Sequence, residues 1–296
     1  MDHDAPRLTR PARRRPRLSD AETEARVLAA GAALVAEQGL SLSLEHLAMD
    51  DVIHAAGVSR TSSYRRWPSK EHYTADLLLH LAEASELSGD VPGLDEALAA
   101  LPDAAFADVA TAEGRWTALV ETLRVLVHTD FVAMLDSADW RTYVVLRGAH
   151  VGLPDGSVRA RVAQVLTATE RRFTRTRAAA FETLATATGH RLRPDDPRGW
   201  EALALTVGAL TTGLLIRAWS DPADLTSPTD RHAFGSTLVS PWTTATLLAA
   251  GVFLDAVEAD PAVDGDTDRV AEMRDRARDV GGAVRAAVAE LRRHEA

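Results

Sequence analysis

The sequence predicts an all-α fold, and three observations carry that prediction. Hydrophobic residues make up 46% of the 296-residue chain, whereas aromatic residues make up only 5%. Alanine is abundant and runs of β-branched residues are scarce, which favours helices over strands. Glycine, proline and aspartate separate segments of helical periodicity, and no segment shows a convincing strand pattern. The length fits one large domain or two small ones.

Composition narrows the class of protein. The chain has no cysteine, which excludes a disulfide framework, a thiolate zinc site and a cysteine nucleophile. The first twenty residues lack the apolar segment of a secretory signal. The longest strongly apolar stretch, residues 238–254, is shorter than the roughly 20 residues that span a bilayer. We therefore expect a cytoplasmic protein without a membrane segment.

Charge is distributed unevenly along the chain, whose formal net charge is −10. Residues 1–74 contain eleven Lys and Arg against ten Asp and Glu, and the remainder contains 22 against 33. The acidic excess thus belongs to the larger C-terminal part. Overall acidity argues against indiscriminate binding of nucleic acid, but the N-terminal part is nearly neutral.

The N-terminal part predicts an arm followed by a helix. Residues 1–18 contain three prolines among six arginines without an apolar period, which indicates an extended arm. Ser19 and Glu22 have the S-x-x-E spacing of a capping box, so the first helix begins there, and Gly39 ends it. Its inward face is expected to comprise Val27, Leu28, Gly31, Leu34 and Val35.

Two further short helices are expected before Pro68. The second begins at Ser43 and ends at Gly57, and the third begins at Ser59. The inward positions of the second helix are Leu44, Leu47, Ala48, Val52 and Ala55. Gly57 can adopt the positive φ that a tight turn between helices often requires. This arrangement predicts a helix-turn-helix.

The rest of the chain predicts a helical body. A helix beyond Ser69 runs to about Leu87, and others are expected near 94–101, 114–136, 138–149, 157–187, 198–218, 241–258 and 267–293. Residues 200–219 and the 241–258 helix are apolar nearly all round and rich in Ala, Gly and Thr, so they pack closely within one subunit or between two.

The last helix carries a narrow apolar stripe. Its members are Val270, Met273, Ala277, Val280, Val284, Val288 and Leu291, which recur at three and four residues. We expect this stripe to pack against the body or against a partner subunit. Gly281 and Gly282 interrupt it and should loosen or kink the helix.

Residues 54–71, HAAGVSRTSSYRRWPSKE, concentrate hydroxyl and basic side chains and include Lys70, the only lysine in the chain. In a DNA major groove Arg60 can donate two hydrogen bonds to guanine, while Thr61 and Ser62 reach base edges. Tyr64 and Arg65 suit phosphates, which orient a protein without reading sequence. Lys70 lies at a helix start, where a phosphate is also favourable.

This segment resembles the fingerprint of the TetR family of bacterial transcriptional regulators. The matching positions are Ala56-Gly57-Val58-Ser59, Tyr64 and Ser69-Lys70-Glu71, with Trp67 where an aromatic residue is usual. The departures are Ile53, Thr61, Ser63 and Tyr73, which leave the turn intact and put the operator sequence beyond inference from relatives. The resemblance covers roughly residues 20–80.

The resemblance implies an architecture and a function. Residues 1–18 are the arm, residues 19–74 a helix-turn-helix DNA-binding domain, and residues 75–296 a helical domain for ligand binding and dimerisation. The family pattern implies a homodimer that represses by binding a pseudo-palindromic double-stranded DNA operator and leaves it when a small-molecule effector binds. The alternatives are a helical protein-interaction module on the same scaffold without DNA binding, and an α-helical enzyme.

Two further sets of residues are candidates under that reading. Arg14, Arg15 and Arg17 of the arm contact the minor groove or phosphates, unless the arm is simply disordered. Aromatic residues on the helices that a family-like pocket would use are Trp116, Phe131, Trp140, Tyr143, Phe173 and Trp219. Each of these aromatic residues is also common in an ordinary hydrophobic core. As ligand contacts, together they would indicate a largely apolar or planar ligand.

Other chemistry finds no support in the sequence. His128, His150 and His190 lack the spacing of metal ligands. The chain contains no P-loop, G-x-S-x-G or G-x-G-x-x-G motif. We therefore expect no metal, no cofactor and no enzymatic activity. The arginines of TERRFTRTR, namely Arg171, Arg172, Arg175 and Arg177, are interpreted as a solvated helix face.

Overall fold

Helices make up most of the chain, as the composition predicts. The computed structural model describes residues 18–38, 47–84, 91–153, 156–194, 199–263 and 279–295. The chain divides into two compact units, Met1–His80 and Leu81–Ala296.

The described part of the first unit is helical. They are α1 (Asp20–Gln38), α2 (Met49–Ala56), α3 (Arg60–Arg66) and α4 (Lys70–Ala84), the last of which continues into the second unit. The predicted capping box is confirmed: the Ser19 amide donates to Glu22 Oε2 at 2.7 Å, and the Glu22 amide donates to Ser19 Oγ at 3.1 Å. These two bonds fix where α1 begins.

The predicted start of α2 at Ser43 is wrong. The helix begins at Met49, and the preceding Ala48 has an extended backbone with φ −76° and ψ 127°. Leu47 is buried, as its apolar position predicted, but it packs from this extended segment. Leu47 and Ala48 thus precede the helix, although their apolar spacing predicts helix. Gly39 and Ser43 lie outside the described residues.

Packing of α1 against α2 and α3 organises the first unit. The buried apolar side chains include Val27, Leu28, Val35, Leu47, Val52, Ile53, Trp67, Tyr73 and Leu77. Gly31 on α1 faces the Tyr73 hydroxyl so closely that a Cβ atom there would overlap it. The Tyr73 ring meets the Trp67 ring edge to face, with 5.6 Å between centroids. The tyrosine at position 73 therefore depends on the glycine at position 31.

The second unit contains longer helices and four short strands. Its helices are α5 (Leu94–Ala99), a 3₁₀ turn (Asp103–Phe106), α6 (Ala112–Asp136), α7 (Ala138–Val151), α8 (Ser157–Ala187), α9 (Gly199–Ala218), α10 (Ala223–Thr226), α11 (Thr244–Ala256) and α12 (Val280–Glu295). Its strands are β1 (His190–Leu192), β2 (Thr229–Arg231), β3 (Ser240–Trp242) and β4 (Val257–Ala259). The long helices α6 to α9 follow the expected boundaries within two residues.

The core of the second unit lies between α6, α8, α9 and α11. Its centre includes Leu119, Leu123, Phe181, Leu184, Leu203, Ala204, Ala250 and Phe253. Among the helices that the structure describes, α9 alone is long and apolar enough to cross a bilayer by length and composition. Only 33% of its most apolar window is buried in the subunit, although the mean hydropathy of that window is 1.4.

The strands correct the expectation that the chain forms none. β1 pairs antiparallel with β4, joining His190 to Ala259 and Leu192 to Val257, and β2 pairs antiparallel with β3. Each strand has three residues, too few for an alternating pattern to register in the sequence. The helix expected over 241–258 is accordingly shorter, with β3 before it and β4 after it.

The predicted packing of the C-terminal stripe holds for its described part. Val284 lies in the main core and α12 packs along α8 of the same chain. Leu291 is partly buried. Gly281 sits in the first turn of α12, and a Cβ atom there would lie 2.9 Å from Leu98 Cδ1. Residues 267–278 of the predicted helix lie outside the described residues.

The segment between β2 and β3 is fastened to α6 by side-chain hydrogen bonds. The Trp116 indole donates to the Phe234 carbonyl at 2.6 Å. The hydroxyls of Ser236 and Ser240 each donate to the buried Glu121 carboxylate at 2.7 Å. Phe234 adopts a positive φ of 51°, a strained value for a residue with a side chain. These bonds hold the segment against α6 despite that strain.

Burial of His190 makes the stability of the second unit depend on pH. The ring is 3% exposed and lies 5.5 Å from the Trp116 ring. Burial lowers the pKa of His190 from 6.5 to about 4. Between those values the unfolded chain binds a proton that the folded chain does not. The free energy of unfolding therefore falls by about 3 kcal/mol as the pH drops from 6.5 to 4.

The measurement is urea denaturation of wild type and His190→Asn at several pH values, followed by tryptophan fluorescence. In this variant the free energy of unfolding should fall much less between pH 6.5 and pH 4 than it does in wild type. The control is His232→Asn, at an exposed histidine of the same unit, which should show the same fall as wild type. An unchanged pH dependence in His190→Asn would show that another group causes it.

Candidate nucleic-acid interface and ligand cavity

A tight turn connects α2 and α3. Gly57 adopts a left-handed backbone conformation with φ 64° and ψ 33°. Its amide donates to the His54 carbonyl at 3.1 Å, and the Val58 amide donates to the Ile53 carbonyl at 3.4 Å. These bonds satisfy the last carbonyls of α2 and reverse the chain within a few residues. The expected role of Gly57 in the turn is thus visible in the local geometry.

Ser59 begins α3 as its N-cap. Its Oγ accepts a hydrogen bond from the Ser62 amide at 3.1 Å and lies 2.8 Å from the Ser62 hydroxyl. Ser63 is fully buried, and its hydroxyl donates to the Ser59 carbonyl. The unusual serine at position 63 therefore satisfies its polar group within the helix.

Trp67 anchors the end of α3. Its side chain is completely buried and its indole donates to Asp76 Oδ2 at 2.9 Å. Arg66 bonds the same carboxylate at 2.8 Å and also bonds Glu24 with two donors at 2.8 and 2.9 Å. These contacts tie α3 to α1 and α4. They fix one face of α3 and leave the other towards solvent.

The outer face of α3 carries predicted DNA contacts. Arg60, Thr61, Tyr64 and Arg65 are exposed, and Ser62 is partly buried. Lys70, also partly buried, is the first residue of α4. The structure thus gathers these residues near the turn and the adjoining helix start. Arg14, Arg15 and Arg17 lie outside the described residues.

Carboxylates of the same unit pair with the arginines of this face. Arg60 binds Asp50 of α2, with its Nε 3.0 Å from Oδ1. The hydrogen bond to Asp50 raises the pKa of Arg60. The Tyr64 hydroxyl donates to the same carboxylate at 3.3 Å, and Arg65 pairs with Asp20. Exposed pairs of this kind are weak and can exchange for other anions.

A separate cavity lies among α6, α8, α9, α11 and α12 of the second unit. Its volume is about 70 Å³. Two of the six candidate aromatics, Phe131 and Phe173, line it. Trp140 packs on Phe173 with 5.0 Å between ring centroids, and Tyr143 packs on Trp140. Phe173, Trp140 and Tyr143 therefore form one connected group, and Phe131 shares the cavity wall with Phe173.

The two remaining candidate aromatics have structural partners. The Trp116 indole donates to the Phe234 carbonyl, and the Trp219 indole donates to the Leu135 carbonyl at 3.1 Å. Neither residue lines the cavity. Their hydrogen bonds indicate a role in joining distant segments of the unit.

Sequence reasoning missed the charged residues of the cavity, Asp130 and Arg177. The interpretation of Arg177 as part of a solvated face is wrong: its side chain is 9% exposed and lines the cavity, whereas Arg171, Arg172 and Arg175 are exposed. Arg177 lies one helical turn after the buried Phe173 and one turn before the buried Phe181. This i, i+4 spacing is the signal that could have found it.

Comparisons with known proteins identify no relative. No family model matches the chain, and no curated protein and no solved structure matches it. Among the described residues, no group of His, Asp and Glu side chains could hold a metal ion. The functional interpretation therefore depends on the residues of the chain and on their geometry.

The turn itself can be tested by substitution at Gly57. No atom crowds a Cβ there, so only the left-handed backbone opposes a side chain. Gly57→Ala should lower the free energy of unfolding of the first unit by about 1 kcal/mol. Gly57→Asn should cost less, because asparagine tolerates this conformation. Thermal denaturation of both variants tests this order, and an equal loss in both would refute the role of the backbone conformation.

Proposed function

We propose that the chain is a DNA-binding transcriptional regulator similar to the TetR family. In this proposal a cytoplasmic homodimer binds a pseudo-palindromic operator as a repressor, and a small-molecule effector in the second unit releases it. The observation that carries the proposal is the α2–Gly57–α3 arrangement, in which a capped helix presents arginine and hydroxyl side chains outward. The proposal assigns no chemical reaction to the chain.

In this mechanism α3 enters the DNA major groove. Arg60 exchanges its carboxylate partner for the two acceptors of a guanine edge, and Thr61 and Ser62 contact neighbouring bases. Tyr64, Arg65 and Lys70 contact phosphates, which set orientation without reading sequence. Arg66 keeps its two carboxylate partners and positions α3 rather than touching DNA.

Asp50 gives the interface a means of discrimination. It holds Arg60 and Tyr64 in the absence of DNA. At a site without a guanine edge, Arg60 stays paired with Asp50 and adds no base contact. At a matching site, two hydrogen bonds to guanine replace this weak, exposed pair. The contribution of Arg60 to binding therefore depends on the base that it meets.

The arm supplies long-range attraction in this proposal. The described residues up to position 80 contain five Lys and Arg against eight Asp and Glu, a net charge of −3. Residues 1–17 add six arginines against two aspartates. Because phosphate binding releases counterions, the arginines of the arm, including Arg14, Arg15 and Arg17, make affinity dependent on salt.

Fluorescence anisotropy with labelled DNA from the upstream region of the gene tests DNA binding. The wild type should prefer this duplex over a scrambled one and lose affinity steeply as salt rises. Arg60→Ala should weaken binding to the preferred site about tenfold to a hundredfold and relax specificity at one base pair, whereas Lys70→Ala should weaken binding to all duplexes similarly.

The control is Arg172→Ala, which removes one exposed positive charge from α8 in the second unit and should leave binding unchanged. Equal losses on every sequence from Arg60→Ala would refute its role in base recognition. If a genome-wide selection also yields no bound sequence, the chain has no DNA-binding role and the protein-interaction alternative gains support.

A two-helix face supports the homodimer. On α9, Leu205, Ala209, Gly213 and Ile216 are exposed at spacings of four, four and three residues. α11 packs beside α9 and exposes Leu248. Small residues let helices approach closely and the apolar side chains gain from burial. We infer that a second copy covers this face and completes a four-helix bundle.

Charge on this face should separate the subunits. The double variant Leu205→Glu/Ile216→Glu places carboxylates in the proposed interface, where unpaired charge is costly to bury. The dimer dissociation constant should rise more than about a hundredfold, since each buried carboxylate costs at least about 1.4 kcal/mol. Sedimentation equilibrium measures it.

Val151→Glu is the matched control, because Val151 is an exposed apolar residue of α7 outside this face. It should leave the dimer intact. A wild-type protein that stays monomeric at micromolar concentration would refute the homodimer and favour the alternative that this face binds a different protein.

A further inference from the structure

The cavity of the second unit contains a loosely paired buried charge. The Arg177 side chain is 9% exposed and the Asp130 side chain is 24% exposed. The Arg177 Nη2 and Asp130 Oδ2 atoms are 3.7 Å apart. This separation exceeds the 2.7–3.2 Å range of ordinary N–H···O hydrogen bonds. The pair gains Coulomb attraction without the close contact that normally compensates a buried guanidinium.

Packing fixes the Arg177 guanidinium in the cavity wall. Its central carbon lies 4.4 Å from the centroid of the Phe173 ring. On α9, a Cβ atom at Gly208 would lie 2.5 Å from Nη1, so the absence of a side chain there makes room for the guanidinium. The donors are therefore held in place by an aromatic ring and a glycine, and need no ligand to order them.

The two charges of the pair differ in how they can be neutralised. Burial raises the pKa of the Asp130 carboxyl, and the attraction of Arg177 opposes this rise. An arginine stays protonated in proteins, whereas a carboxyl can take up a proton. Asp130 is also the more exposed of the two and so the better hydrated. The cavity consequently has a permanent cation whose present partner can be replaced by another anion.

The rest of the cavity suits a small apolar group. Its wall includes Val127, Phe131, Met134, Val207 and Val284. The Thr211 hydroxyl, also in the wall, donates to the Val207 carbonyl of its own helix at 2.8 Å. A space of about 70 Å³ holds on the order of five water molecules. In the liquid, five waters occupy about 150 Å³, which is also the volume of a cavity that accepts one benzene molecule.

We propose that this cavity binds a small monocarboxylate whose apolar part is about the size of a benzene ring. The carboxylate accepts two hydrogen bonds from Arg177 in place of Asp130, and the ring lies against Phe131 and the aliphatic wall. That this ligand acts as the effector rests on the proposed function. That it binds the cavity does not depend on DNA.

Three matched probes separate the carboxylate from the ring. Phenylacetate, phenylacetamide and 2-phenylethylamine share one apolar body and differ in the charge of the head group. Isothermal titration calorimetry of the full chain should give a dissociation constant below about 1 mM for phenylacetate. The neutral amide should bind at least tenfold more weakly and the amine should not bind.

Variants assign the preference to Arg177. Removing Arg177 alone would leave a buried carboxylate, so the test variant is Asp130→Asn/Arg177→Met, which stays neutral. It should bind phenylacetate no better than phenylacetamide. Asp130→Asn alone should bind phenylacetate at least as tightly as wild type, since it removes the competing anion. Arg172→Met makes the same arginine-to-methionine substitution at an exposed position of α8 and should keep the wild-type preference.

Defined outcomes overturn the proposal. The first is that the amine binds more tightly than the carboxylate, and the second is that the double variant keeps the preference for the carboxylate. The third is that benzoate, phenylacetate and 3-phenylpropanoate all fail to bind the folded protein with a dissociation constant below about 1 mM. Addition of phenylacetate to a protein–DNA complex then tests the effector role. If the protein binds the carboxylate but does not bind DNA, the proposed function is refuted and the proposed ligand site is retained.

Discussion

Close approach between helices, made possible by small residues, is the constraint on which the structure depends. With few aromatic side chains, the chain gains its buried area from alanine-rich helices that pack at short distance. Gly31 admits the Tyr73 hydroxyl in the first unit, and Gly208 admits the Arg177 guanidinium in the second. In both places the absence of one side chain creates the room for a polar group. The same principle applies to Ala209 and Gly213 on the exposed face of α9.

Burial divides the charged side chains into two functional kinds. The pairs of Arg60 with Asp50 and of Arg65 with Asp20 are exposed, so water screens them and a phosphate or base can replace either carboxylate at little cost. Arg177 is buried, and breaking its pair without a substitute would leave an uncompensated charge. The first kind suits an interface that exchanges partners quickly. The second suits a site that demands a specific anion.

Local features of this fold could be predicted from the sequence, and non-local ones could not. The capping box at Ser19, the turn at Gly57 and the bounds of α6 to α9 follow from residues close together in the chain. The hydrogen bonds from Ser236 and Ser240 to Glu121 join segments more than 100 residues apart, and no periodicity in the sequence predicts them. The prediction that Arg177 lies on a solvated face is wrong because it relies on the neighbouring arginines. The spacing of Arg177 from the buried Phe173 places it on the buried face of the helix.

The proposed ligand site and the proposed subunit interface share α9. Gly208 touches the Arg177 guanidinium from one side of this helix, while Leu205, Ala209 and Gly213 face solvent from another. A carboxylate that binds Arg177 in place of Asp130 moves the guanidinium and so changes its packing against Gly208. Because packed helices are stiff, α9 responds by a small shift of the whole helix rather than by local yielding. In the proposed dimer, joined through α9 and α11, that shift would alter how the two subunits pack, and we propose it as the route by which the effector acts on DNA binding.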